Sequence, residues 1–141
     1  MIPLIETNGQ QTNFGPNWWA CVAKLNETYG KHWLPVTNGT SAITLAAQAT
    51  FARNFRVAVP DFTMVATLHA IAAAGCTPVI LPCDPETGMI NVEVLRRQWN
   101  WGQVQGAIVV SPFGAAFDHR RYEEIEMPLI YDLAGGWPMQ L

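Results

Sequence analysis

The sequence predicts an α/β protein, a three-layer α-β-α arrangement around a mostly parallel sheet. Two observations carry that prediction. Short apolar runs alternate with helical segments along the chain, and those runs are apolar at successive positions instead of at every second one. A strand buried on both faces has that pattern, and parallel sheets acquire such burial because their crossover helices cover both sides. At 141 residues, with no internal repeat and no low-complexity stretch, the chain is read as a single domain over residues 1–141.

The elements follow in order. Pro16 suits a first helical turn and Gly30 a stop, so "PNWWACVAKLNETYG" is expected to be a helix. "HWLPVTN" is expected as a strand and "TSAITLAAQATFARNF" as a helix rich in small residues. "RVAVP" reads as a short strand, "FTMVATLHAIAAAG" as a helix stopped at Gly75, and "TPVILPC" as an apolar strand bounded by turn residues. "DPETG" is a turn, after which Asn91 can cap the helix "VEVLRRQWN". "GAIVVSP" is the next buried strand, "DHRRYEEI" a short polar helix, and "PLIYD" the last strand.

Composition narrows the function classes. Charged residues make up 13% of the chain, about half the usual share of roughly 25%, and half of all residues are apolar, six of them Trp. So little charge leaves apolar surface to face a partner or a missing segment. A net charge of −3 with only two lysines, Lys24 and Lys31, argues against nucleic acid or an anionic membrane as partner. Cys21, Cys76 and Cys83 form no CxxC pair and no even set, so they are expected as reduced core thiols of a cytoplasmic protein. The opening "MIPLIETNGQ" lacks the basic start and long apolar run of a signal peptide, and no stretch approaches the roughly 20 apolar residues of a membrane span.

In an open α/β sheet, ligands bind beyond the carboxyl ends of the strands. The residues in that position are Asn38-Gly39-Thr40-Ser41, Pro60-Asp61-Phe62-Thr63, Cys83-Asp84, Ser111-Pro112-Phe113 and Asp132. In the first group, the free N–H groups of Thr40, Ser41 and Ala42 would lie at a helix N-terminus that favours an anion such as phosphate, though N-G-T-S is also an ordinary helix cap. No GxGxxG or Walker A sequence is present. Phe62 and Met64 read as core on pattern alone, and His69 as a core or interface histidine. His69, Cys76 and Cys83 lack zinc-type spacing, and no metal site is expected. His119, among Asp118, Arg120 and Arg121, reads as part of a solvated helix face. Asp132 either caps the turn that follows it or holds a proton on a heteroaromatic nitrogen, as a carboxylate does for the pyridine of pyridoxal 5'-phosphate (PLP).

The order of these segments resembles the N-terminal part of the sugar aminotransferases of the DegT/StrS type, which are fold-type-I PLP enzymes. "VTNGTSAITLAAQA" is similar to that family's S-G-T-A-A-L-x-L-A-L segment. "VAVPDFTMVATLHAIAAAGCTPVILPCDPETGMIN" is similar to V-I-V-P-x-F-T-F-V-A-T-x-x-A-I-x-x-x-G-A-x-P-V-F-x-D-V-D-P-x-T-x-x-I-D. "GAIVVSPFGAAFDHRRYEEI" resembles A-I-I-P-V-H-x-Y-G-x-P-x-D-x-x-x-I, and "PLIYDLAGG" stands where the family has P-V-I-E-D-A-A-H/Q.

The resemblance implies a truncated version of the PLP-dependent transferase large domain, without the small C-terminal domain. By the same resemblance the cofactor phosphate would lie on Gly39, Thr40 and Ser41, the ring against Met64, and the pyridine nitrogen on Asp132. Met64 stands where the family commonly has an aromatic, Tyr131 where it has Glu, and Gly135 where a His or Gln usually reaches the cofactor's ring oxygen. The family's Schiff-base lysine lies downstream of the Asp, and neither Lys24 nor Lys31 matches it. With no catalytic lysine in the chain, the resemblance implies an incomplete aminotransferase-like protein, inactive alone, whose parent activity is amino transfer to a nucleotide-linked keto-sugar. Members of the family commonly form dimers, so a dimer, or docking of a second subunit, is expected through the apolar surface. The alternative is a stand-alone non-catalytic domain that binds a phosphate-bearing ligand or a partner subunit.

Overall fold

The computed structural model describes residues 14–30, 32–114 and 118–136, and the chain divides into two compact units, Met1–Thr37 and Asn38–Leu141. In the first, α1 (Pro16–Tyr29) begins with the expected proline and ends at Gly30, whose left-handed backbone (φ 65°) lets its N–H reach the Asn26 carbonyl. Phe14, Trp18 and Trp19 pack edge to face along its first turn. The strand expected over "HWLPVTN" is not formed: residues 32–37 have no regular structure. Pro35 has no N–H to give a ladder, and Leu34 stays 61% exposed.

The second unit is a four-stranded, all-parallel sheet with helices on both faces. Its elements are α2 (Gly39–Thr50), β1 (Arg56–Pro60), α3 (Val65–Ala73), β2 (Thr77–Leu81), α4 (Val92–Asn100), β3 (Gly106–Val110), α5 (Arg120–Glu123) and β4 (Leu129–Asp132). The order across the sheet is β2-β1-β3-β4. Successive residues of a strand face opposite sides, and the two cores divide accordingly. Val57 and Val59 of β1 and Ile108 of β3 pack with Ala47 and Phe51 of α2 and Ile71 of α3. Ala58 and the β3 residues Ala107 and Val109 pack with Leu95 of α4 and with Tyr122 and Ile125 around α5. Both faces are therefore covered, which is why the strands are apolar throughout. Tyr122 anchors the second layer by donating its buried hydroxyl to the Ile90 carbonyl at 2.9 Å.

Two helix boundaries differ from expectation. α2 stops at Thr50 because Phe51 turns extended (φ −110°, ψ 139°) and drops onto the sheet. α3 begins only at Val65, since Met64 is itself the extended residue that precedes the first turn. Asn91 caps α4 as expected, its side chain accepting from the N–H groups of Glu93 and Val94.

Topology positions the site. From β1 the chain moves outward to β2 through α3 on one face. It then passes back over β1 to β3 through α4 on the other face, and continues in that direction to β4 through α5. Right-handed crossovers running in opposite directions must use opposite faces, so the carboxyl ends of β1 and β3 form the point where the connections diverge, and a crevice opens there. Between these two strands the pairing extends over only two positions, Val57↔Gly106 and Ala58↔Ala107, while β1 pairs with β2 along its full length.

Candidate functional site

A cavity of about 450 Å³ lies at that crevice, within the 300–1,000 Å³ of ordinary ligand pockets. Its walls come from residues 62–64 after β1, 110–113 at the end of β3, and Asp132, Ala134 and Gly135 at the end of β4. They are mostly apolar, and Asp132 is the one ionisable residue among them. Ile130 packs toward α2 and α3, so Asp132, two residues on, faces the same side of the sheet. Its Oδ1 accepts from the N–H of Ala134 at 3.0 Å. Asp132 thus caps its turn and lines the cavity at once.

The phosphate candidate is on the same edge and the same face. Phe51, at the carboxyl end of α2, lies directly on Gly106, the first residue of β3. The 12 residues of α2 rise about 1.5 Å each, enough to cross the sheet, which carries the amino end of α2 to the carboxyl edge. The cap there changes the expected donor set. Asn38 accepts the Ser41 N–H on its side-chain oxygen at 2.8 Å and the Ala42 N–H on its carbonyl at 3.1 Å. The N–H groups of Gly39 and Thr40 are left without an acceptor among the described residues, in place of the set Thr40, Ser41 and Ala42. The space where a Gly39 side chain would stand is open. Gly39, Thr40 and Ser41 do not line the cavity itself, whereas Met64 and Asp132 do.

Other residues singled out from the sequence do not join the site. Asp61 ties the ends of β1 and β2 together: its N–H donates to the Leu81 carbonyl and its Oδ1 accepts from the Cys83 N–H, both at 2.9 Å. Burial, and then the bond to Asp61, push the Cys83 thiol up to about 11. His69 is exposed on α3 rather than in a core, and Cys21 is exposed rather than buried, while His119 is exposed at the start of α5 as expected. Among the described residues no group of three His, Cys, Asp or Glu is placed to hold a metal ion, and no helix is long and apolar enough to cross a membrane.

Two aromatic side chains enter the site that pattern alone did not assign to it. Phe62, expected in the core, is 51% exposed at the cavity wall, and Phe113, which follows β3, is 89% exposed. Their ring centroids are 6.0 Å apart with the planes tilted by 56°. Phe113 was visible in the sequence only as one of the residues after a strand. What brings it to Phe62 is the adjacency of β1 and β3, a contact between residues far apart in the chain.

Comparison with known proteins agrees with this fold. The pattern defining the DegT/DnrJ/EryC1/StrS aminotransferase family matches residues 4–136. The GDP-perosamine synthase of Vibrio cholerae is 34% identical over 89 residues, which are 62% of this chain and 24% of that protein. A DegT/DnrJ/EryC1/StrS aminotransferase structure from Brucella abortus superposes with a TM-score of 0.73 at 29% identity, covering 86% of this chain and 36% of its own. The GDP-4-keto-6-deoxy-D-mannose-3-dehydratase of E. coli, solved with bound hydrated PLP, shares the fold with a TM-score of 0.73 at 18% identity, covering 84% of this chain and 33% of its own. The chain therefore spans about a quarter to a third of the length of these relatives.

Proposed function

The chain belongs to the DegT/DnrJ/EryC1/StrS aminotransferase family, and from that premise we propose that its carboxyl-edge cavity binds PLP, in a protein whose parent activity is amino transfer to a nucleotide-linked keto-sugar. The observation that carries this reading is Asp132, the one ionisable residue at the wall of a mostly apolar cavity, on the same sheet face and edge as the amino end of α2. That combination suits a flat ring with one protonated nitrogen and a phosphate.

When bound, PLP supplies an electron sink whose protonated ring nitrogen draws charge from the reacting carbon. The chain's own residues divide the task of holding it. Asp132 keeps the proton on the ring nitrogen, with Oδ1 also held by the Ala134 N–H so that the carboxylate is oriented before the ligand arrives. The N–H groups of Gly39 and Thr40, with the Thr40 and Ser41 hydroxyls, take the phosphate at the positive end of α2. Met64 packs its thioether at the wall, and the surrounding apolar side chains exclude water. Residues 38–141 contain no lysine, and the chain's two lysines, Lys24 and Lys31, precede α2. These 141 residues alone are therefore a binding module, and turnover requires a lysine nucleophile from another polypeptide segment. Exposed Leu45, Ile80 and Trp101 on the second unit support self-association or the docking of a second subunit.

Titration of the whole chain with pyridoxamine 5'-phosphate, which has no aldehyde to react with Lys24 or Lys31, tests the reading. Saturable binding is expected, weakened roughly 10- to 100-fold by Asp132→Asn, the cost of a charge-assisted hydrogen bond. The Asn variant can still accept from Ala134, so the turn survives. Absence of saturable binding, or equal binding by the variant, overturns the proposal.

A further inference from the structure

Phe113 is held in an unusual way. Its backbone lies in the left-handed region (φ 52°, ψ 25°), which a bulky residue adopts only when its surroundings impose it. The surroundings here are the backbone of Gly135. A Cβ at residue 135 would stand 2.9 Å from the Ser111 carbonyl oxygen and 3.0 Å from the Phe113 nitrogen. The turn carrying Phe113 therefore sits directly on a residue that has no side chain. Any side chain at 135 would push that turn away.

The imposed conformation leaves Phe113 89% exposed beside Phe62 at the cavity wall. At 6.0 Å between centroids and a 56° tilt, the two rings leave no slot for a third, since a ring between parallel faces needs roughly 7 Å, twice a van der Waals contact. They form a corner instead. A flat ring lying on the face of one meets the other edge-on, the two arrangements aromatic groups prefer. Phe113 has the more open face and Phe62 the more restricted one.

Resting on the cofactor reading above, we propose that Phe113 supplies the aromatic face on which the cofactor ring lies, seated by Gly135 and braced by Phe62, with Met64 completing the wall as an apolar filler. The chain then carries its ring-stacking group after β3, on a turn made possible by a glycine after β4. Phe113 touches the ligand; Gly135 acts through it as a positioning residue.

The test is the fluorescence anisotropy of pyridoxamine 5'-phosphate titrated with the whole chain, far-UV circular dichroism confirming that each variant is folded. Phe113→Ala weakens binding roughly 5- to 10-fold, the scale of an aromatic pair with its buried area, and Phe113→Tyr restores it. Gly135→Ala weakens binding to a similar extent although it removes no atom, while Arg97→Ala, exposed on α4's last turn, leaves it unchanged. Phe113→Leu, which keeps apolar bulk without a ring face, gives the same comparison where the alanine variant is unstable. Wild-type affinity in Phe113→Ala or Phe113→Leu, or a larger loss in Met64→Ala, overturns the assignment. If the wild type binds and Asp132→Asn weakens it while Phe113→Ala does not, this inference alone falls; if the wild type does not bind, the cofactor reading falls and takes the inference with it.

Discussion

Gly106→Ala is the sharpest test of how α2 is placed, and so of where its amino end delivers donors. A Cβ on Gly106 would lie 2.5 Å from Cε1 of Phe51 and 2.8 Å from its Cδ1. Ordinary carbon contacts are about 3.5–4.0 Å, so the ring must retreat by roughly 1 Å from a position where it is only 5% exposed. Overpacking of this kind costs about 1–3 kcal/mol, while removing a glycine from the unfolded chain returns about 0.4–1 kcal/mol. A net loss of about 1–2 kcal/mol is expected. With a urea slope of about 1–3 kcal/mol/M, the midpoint of unfolding followed by tryptophan fluorescence falls by roughly 0.5–1 M. Phe51→Leu is the partner variant, since it removes the atoms that clash. In the double variant the alanine penalty should vanish, a coupling of about 1 kcal/mol or more. A penalty below about 0.5 kcal/mol, or one unchanged by Phe51→Leu, would mean that Phe51 does not rest on β3, and the position deduced for Gly39 and Thr40 would go with it.

Three further outcomes are expected. Asn38→Ala loses the cap on the Ser41 N–H and about 1 kcal/mol of stability in denaturant titration; Asn38→Asp keeps the cap but weakens pyridoxamine 5'-phosphate binding by placing a carboxylate beside the phosphate. Burial, and then the charge of Glu123, push the Tyr131 phenol up to about 12, above the roughly 10 of an unfolded chain. A raised folded-state value contributes stability that is complete below pH 10 and lost as the pH climbs through 12, so urea midpoints should decline across that window, less steeply in Tyr131→Phe; equal slopes would contradict this. Iodoacetamide at pH 8 should alkylate exposed Cys21 well before Cys83, whose thiol is half-buried and held at about 11, with peptide mapping as the readout.

Elements whose signals are local were legible in the sequence. The strands β1 to β4 are short apolar runs between turn residues, and α1 and α4 carry their own stop and start in Gly30 and Asn91. What depended on distant contacts was not. "HWLPVTN" has a strand's composition, but composition supplies no neighbour for its backbone, and Pro35 forgoes a donor in any case. Phe51 and Phe62 have the same apolar character, yet one lies buried on Gly106 and the other stands half-exposed at a cavity, because the strand order sets what each faces. The site was legible in outline, through Asp132 and the segment at Gly39. Its donors were misjudged because an asparagine side chain takes a helix N–H as readily as a phosphate does, and Phe113 was missed because its geometry comes from a glycine 22 residues away.

The brief pairing of β1 with β3 bears on how the crevice behaves as well as where it lies. Past Ala58 and Ala107 the two strands share no ladder, and Pro60, at the end of β1, has no N–H with which to extend one. The lips of the crevice are therefore joined by fewer ladder positions than either neighbouring strand pair, while the β1–β2 and β3–β4 halves each have a longer register. Of the three strand junctions this is the one with the fewest ladder positions, so the width of the crevice is set there more by the side chains that line it than by main-chain pairing.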